Sequence, residues 1–191
     1  NPGDEVIIPS YTFSSSAMAF INMGAKIVFV DIDPETYNLC PKLLEKKLSD
    51  AKRNNLPLPK VVIPVHFSGQ SCEMDKIHAL SIDYGFSIIE DASHAIGGMY
   101  KSNPIGSCEY SDVTVFSFHP VKIITTAEGG VATTNNAALA QKIDLLRSHG
   151  ITRNDELMTG ASHGGWYYEQ LDLGFNYRMT DMQAALGVSQ M

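Results

Sequence analysis

The chain has 191 residues, 44% hydrophobic and 18% charged, with a formal net charge of −7; this fits one ordinary globular domain and gives no global field to attract nucleic acid or anionic lipid. Cys40, Cys72 and Cys108 are widely spaced and no histidines fall at metal-ligand spacing, so neither a disulfide framework nor a metal site is signalled, and a reducing cytoplasm is the expected compartment. No apolar run approaches a membrane span and no signal-peptide pattern is visible.

Short β-rich runs alternate with helical patterns. Glu5–Ile8 reads as a brief strand, and Ser14–Met23 as a helix opened by serines suited to capping. Ala25–Ile32 is a β-branched strand. Pro41 sits where a first helical turn tolerates proline, and Leu43, Leu44 and Leu48 give Lys42–Arg53 a helical face. After the breaker Asn54–Pro59 come strand Val61–His66, helix Met74–Tyr84 with Gly85 as its stop, and strand Phe86–Glu90. Strands near Val113–Phe118 and Val131–Thr134 follow, then a helix over Ala137–Ser148 with Leu139, Ile143 and Leu146 on one face. Ile151–Gln170 has no period and reads as a mobile loop. The chain opens without an initiator methionine and closes inside the helical pattern after Thr180, so it reads as an internal piece of a longer protein.

This alternation predicts an α/β domain with a mostly parallel sheet sandwiched by helices. In such sheets ligands collect outside the carboxyl ends of the strands. Tyr11, Phe13, His66, Asp91, His94 and the run Ser117–Lys122 all fall there.

Lys122 is the only formally charged side chain between Asp112 and Glu128. Apolar surroundings disfavour an ammonium, and a neutral amine captures carbonyl compounds as a Schiff base. The plain alternative is a loop lysine snorkelling to water. Asp91 ends an apolar strand, where a carboxylate requires a cation or several donors. It either caps the next turn or faces a protonated pyridine nitrogen. His94 could contact the same ring or satisfy the turn, and Ser117 could bind a phosphate or be a small core residue.

Several stretches combine in order: Gly3-Asp-Glu-Val-Ile, Pro9-Ser-Tyr-Thr-Phe13, Glu90-Asp-Ala-Ser-His94, Phe116-Ser-Phe-His-Pro-Val-Lys122, Ala127-Glu-Gly-Gly130 and Leu173-Gly-Phe-Asn-Tyr-Arg-Met-Thr-Asp181. Together they resemble the DegT/StrS group of pyridoxal-phosphate nucleotide-sugar aminotransferases. The resemblance implies fold-type-I architecture, with residues 1–191 as a truncated cofactor-binding large domain. A phosphate-binding turn ahead of Asn1 and a small C-terminal domain beyond Met191 are the pieces it expects outside the chain, and residues 1–191 alone are then not a competent enzyme.

By position, Lys122 would bond the cofactor aldehyde and shuttle protons, and Asp91 would pair with the pyridinium nitrogen. His94 would stand near the phenolic oxygen, where many relatives carry glutamine. Phe13 would stack on the ring and Ser117 would bind the phosphate. Asn176 and Arg178 match a segment reaching the neighbouring subunit's phosphate, which implies a homodimer with shared sites; both could equally be ordinary loop residues. The implied reaction moves an amine, by family usually from glutamate, to the ketone of a nucleotide-linked sugar. The runs Ser117–Lys122, Thr125–Gly130 and Arg147–Gly150 look most like the branch serving pseudaminic acid synthesis, whose acceptor is a UDP-linked 4-keto-6-deoxy-N-acetylhexosamine. Another nucleotide-linked keto sugar is an alternative acceptor. A pyridoxamine-dependent sugar dehydratase is disfavoured, because those relatives carry histidine in place of the lysine. A non-catalytic scaffold has no reason to keep Lys122, Asp91 and Ser117 together.

Overall fold

The computed structural model describes residues 1–191. In chain order its strands are β1 (Glu5–Pro9), β2 (Lys26–Val30), β3 (Val61–Val62), β4 (Ser87–Asp91), β5 (Met99–Tyr100), β6 (Asn103–Pro104), β7 (Val113–Ser117), β8 (Gly130–Thr133), β9 (Ile151–Thr152) and β10 (Glu169–Gln170). The helices are α1 (Ser15–Ile21), α2 (Pro41–Arg53), α3 (Met74–Tyr84), α4 (Ala137–Arg147) and α5 (Asp181–Val188). No helix is long and apolar enough to cross a membrane.

Six strands form one sheet in the order β2-β1-β3-β4-β7-β8. All neighbours are parallel except β7 and β8. β8 ends the sheet, so its outer rim of backbone groups has no neighbouring strand. The apolar run of β1 follows from cover on both faces. Ile7 packs with Leu44, Leu48, Met74 and Ile77 under α2 and α3. Val6 and Ile8 point the other way, against Ala17 and Phe20 of α1.

Three expectations change. The strand from Val61 is only two residues of ladder, continued by a bridge from Val65 to Asp91 and a short 3-10 turn at Phe67–Gly69. The residues 151–170 are tied at their base by the antiparallel pair β9–β10. From that pair the Glu169 carboxylate reaches along the loop and accepts from Thr159 N–H and Oγ1, Gly160 N–H and the Tyr167 hydroxyl. The serines ahead of α1 do not cap it: Ser14 makes no side-chain cap bond, and Ser16 has another partner described below.

Glu90 organises the centre of the sheet. It is buried on the α2/α3 side and accepts from His66 Nε2 at 2.7 Å, from Thr114 Oγ1 at 2.9 Å and from Ser111 Oγ. The other His66 nitrogen, Nδ1, accepts the Cys72 N–H at 3.2 Å. This makes Nε2 the protonated atom and His66 a neutral donor to a carboxylate. Burial pushes the Glu90 carboxyl up, but the bonds from His66, Ser111 and Thr114 outweigh it and hold the group below its ordinary 4.5. His66 is therefore a core residue, 1% exposed, and does not join the ligand edge.

Two outcomes are expected. Glu90→Ala, which strands one imidazole and two hydroxyl donors, lowers unfolding stability by about 3 kcal/mol in urea titration. Because the folded carboxyl lies below its unfolded value, its contribution is present above pH 4.5 and is lost as pH falls through the folded value. Glu90→Gln removes that part of the acid limb in a stability–pH profile.

Candidate active site

Strand parity decides which side chains meet. Glu90 and Ile88 face α2 and α3, so Asp91 emerges on the opposite face, toward α1, at the carboxyl end of β4. Its Oδ2 accepts from Ser16 Oγ of α1 at 2.7 Å. Its Oδ1 accepts from the Ser93 N–H at 3.1 Å and Ser93 Oγ at 2.6 Å. The chain offers Asp91 three hydrogen-bond donors and no cation. Asp91 is in register with Val115 of parallel β7, and Ser117 lies two residues further along the same face. Asp91 and Ser117 thus share one face and one edge of the sheet.

Lys122 stands in the connection between β7 and β8. That loop is closed by Phe118 N–H to Gly129 O (2.8 Å) and Thr126 N–H to Phe118 O (3.0 Å), and the Lys122 N–H turns back on His119 O (2.9 Å). Thr125 and Thr126 are loop braces. Thr125 Oγ1 donates to Phe118 O and buried Thr126 Oγ1 to Glu128 O. Gly129 packs so closely on Thr126 that a Cβ there would overlap its hydroxyl. The Gln183 amide of α5 donates to Glu128 O, and just past α5 the Gln190 side chain takes the Thr125 N–H and donates to Thr125 O.

The burial that the apolar run around Lys122 predicts is not supplied within this chain. Lys122 is half-buried, while Val121 and Ile123 beside it are 79% and 67% exposed. Its ammonium has no carboxylate partner.

Phe13 follows β1 with its ring 77% exposed. Ser117 Oγ accepts the His119 N–H at 3.4 Å, which leaves its own proton free to donate. His94 is exposed three residues beyond Asp91. Asn176 and Arg178 lie elsewhere, in an exposed segment running past the end of α4. Arg178 Nε donates to Asn176 Oδ1 at 3.0 Å. The segment is pinned by Phe175 N–H to Leu146 O and by Tyr177 N–H to Arg147 O. It approaches Gly150, at φ +67°, too closely for a side chain there.

A cavity of about 670 Å³ lies between β2 and α2, lined by Phe29, Leu43, Lys46, Asp50 and Leu56. It holds neither Lys122 nor Asp91, so it is not the chemical site. Sequence reasoning missed Ser16 as the Asp91 partner and Gln183 and Gln190 as loop braces. Only a contact across 75 residues for the first, and 65 for Gln190, reveals them.

Comparison with known proteins adds to this geometry. The sequence profile described as the DegT/DnrJ/EryC1/StrS aminotransferase family matches residues 1–191. Among curated proteins, the GDP-perosamine synthase of Caulobacter vibrioides is 42% identical over 190 residues, which is 100% of this chain and 46% of that protein. The UDP-4-amino-4,6-dideoxy-N-acetyl-beta-L-altrosamine transaminase of Campylobacter jejuni is 40% identical over 186 residues, 97% of this chain and 45% of that protein. Among solved structures, Helicobacter pylori PseC, an aminotransferase involved in pseudoaminic acid biosynthesis, superposes with a TM-score of 0.85 at 31% identity, covering 99% of this chain and 46% of that one. The chain thus spans about half the length of the relatives it matches.

Gln190→Ala removes the brace on Thr125, and the Thr125 amide is then expected to exchange its hydrogen about tenfold faster, read residue by residue by mass spectrometry or NMR.

Proposed function

Because the chain belongs to the DegT/DnrJ/EryC1/StrS aminotransferase family, we propose that it is most of the cofactor-binding large domain of a sugar aminotransferase. Family members depend on pyridoxal phosphate, and the residues present suit that group. The observation that carries the reading is Asp91. A carboxylate is fixed at a strand end by Ser16 and Ser93 with no cation to balance it, one strand away from the loop of a carboxylate-free lysine.

When bound, pyridoxal phosphate supplies an aldehyde and an electron-withdrawing ring, the chemistry that lets an amino group pass between carbon skeletons. Asp91 would hold a proton on the ring nitrogen, its own orientation set by the two serine hydroxyls. Lys122 Nζ would bond the aldehyde carbon, whose oxygen leaves as water, and, once the donor's amine has displaced it from that carbon, would carry protons at close range as general base and acid. Ser117 Oγ would donate to the phosphate, and the exposed Phe13 ring would stack over the pyridine. His94 would flank the phenolic oxygen.

The exposure of Phe13, Val121 and Ile123 supports enclosure from outside this chain. A second copy is the reading we adopt, with Asn176 and Arg178 reaching its phosphate. The acceptor is a nucleotide-linked keto sugar and the donor glutamate. Within that class the UDP-4-keto-6-deoxy-N-acetylhexosamine of pseudaminic acid or a related surface glycan is our choice. Its support is the likeness to the Campylobacter and Helicobacter proteins, and the compartment would be the cytoplasm.

The test uses the complete protein, loaded with pyridoxal phosphate, reduced with borohydride and digested. A pyridoxyl mass on the Lys122 peptide is expected, absent in Lys122→Ala; a cofactor released with no labelled peptide would refute the assignment. Asp91→Asn should keep the label yet lose roughly 10²-fold or more in kcat, the scale of losing one transition-state electrostatic partner.

A further inference from the structure

Three aromatic rings meet at the carboxyl ends of β1, β2 and β3, beside the candidate active site and outside the roles assigned above. Tyr11 follows β1, Tyr37 lies in the turn after β2, and Phe67 follows β3. Tyr11 and Phe67 have centroids 5.0 Å apart, Tyr37 and Phe67 5.8 Å, and Tyr11 and Tyr37 6.2 Å. They are tilted by 38–51° rather than stacked flat. Both tyrosines remain 51% exposed.

The rings are held by design of the backbone rather than by burial. Tyr37 has φ +60° and Ser68, next to Phe67, has φ +53°. A bulky side chain in that region is disfavoured, and such positions persist where surrounding structure dictates them. The structure that does so is Asn38. Its buried amide donates to Gln70 O at 3.0 Å and Ser71 O at 3.1 Å, and its Oδ1 accepts the Phe67 N–H at 2.9 Å. One side chain therefore cross-links the turn carrying Tyr37 to the turn carrying Phe67. Tyr11 is fixed from the other side, where Ser10 N–H donates to Val30 O at 2.9 Å and Ser10 Oγ to Asp31 at 2.7 Å.

We propose that Tyr11, Tyr37 and Phe67 form a preformed stacking face for the nucleobase of the nucleotide-sugar substrate. The inference rests on the aminotransferase reading given above and deepens it. Strand order selects the base over the sugar. The face is centred on β1, and Lys122 follows β7, three strand spacings away in the order β1-β3-β4-β7, or roughly 14 Å. The reacting carbon of the sugar must lie at Lys122. A single hexose does not bridge that separation, whereas the diphosphate and ribose beyond it do. What reaches the far end is a planar heterocycle, which aromatic rings stack with little regard to base identity.

Equilibrium binding of UDP and of GDP to the complete protein tests this. Tyr37→Asn removes the ring but suits the left-handed backbone, and Tyr37→Phe keeps it. The asparagine variant is expected to bind the preferred nucleotide about tenfold or more weakly, with the phenylalanine variant within about twofold of the native protein. Saturation-transfer NMR should place the base protons, more than those of the ribose, against the protein. Unchanged affinity in Tyr37→Asn overturns this face alone, provided the native protein binds UDP or GDP and takes the pyridoxyl label. Weaker binding accompanied by dissociation of the oligomer in sedimentation also overturns it, making the rings a subunit contact. Failure of the native protein to bind either nucleotide overturns the nucleotide-sugar reading with it.

Discussion

One buried carboxylate ties the middle of this molecule together. Glu90 sits on β4 and takes hydrogen bonds from His66 beyond β3 and from Ser111 and Thr114 at the start of β7. Three neighbouring elements of the sheet are thereby locked in one register. The next residue along is Asp91, and strand parity sends it to the opposite face. The chain thus spends its buried polar network on one side of the sheet to present an uncompensated carboxylate on the other. The backbone repeats the lock, since His66 N–H donates to Asp91 O at 3.0 Å and Asp91 N–H to Pro64 O at 2.9 Å.

Around that fixed point the side chains of the candidate site are anchored in different ways. Asp91 is held by two serine hydroxyls, one from a neighbouring helix. Ser117 is carried by a strand in ladder contact with β4. Lys122 is on a loop whose shape comes from threonine side chains, a close-packed glycine, Gln183 of α5 and Gln190 just beyond it. The far aromatic cluster is cross-linked by Asn38.

Much of this was legible in the residues. Helix α3 and its glycine stop match their expected limits at Met74, Tyr84 and Gly85, because an apolar period and a left-handed terminus leave little choice. Asp91, Ser117 and Lys122 fall on the expected edge because parallel strands place their carboxyl ends together. The losses have physical causes as well. Position at a strand end says nothing about face: by sequence His66 groups with the ligand edge, whereas its ring turns to the buried face and bonds Glu90 on the neighbouring strand. The serines before α1 matched a cap by type, but a carboxylate from β4 competes for Ser16. Two-residue strands such as β9 and β10 are too short to carry a period. The antiparallel β8 follows from a connection that contains no helix, whereas a parallel return would need a longer crossover.

The outermost strand has a consequence of its own. β8 ends the sheet with four residues, and Val131 on it is partly open to water. Unsatisfied amides and carbonyls along such a margin template the addition of further extended polypeptide. An extended segment laid alongside β8 would find a row of main-chain donors and acceptors ready to pair. A lysine introduced at Val131 would act as a gatekeeper against such pairing.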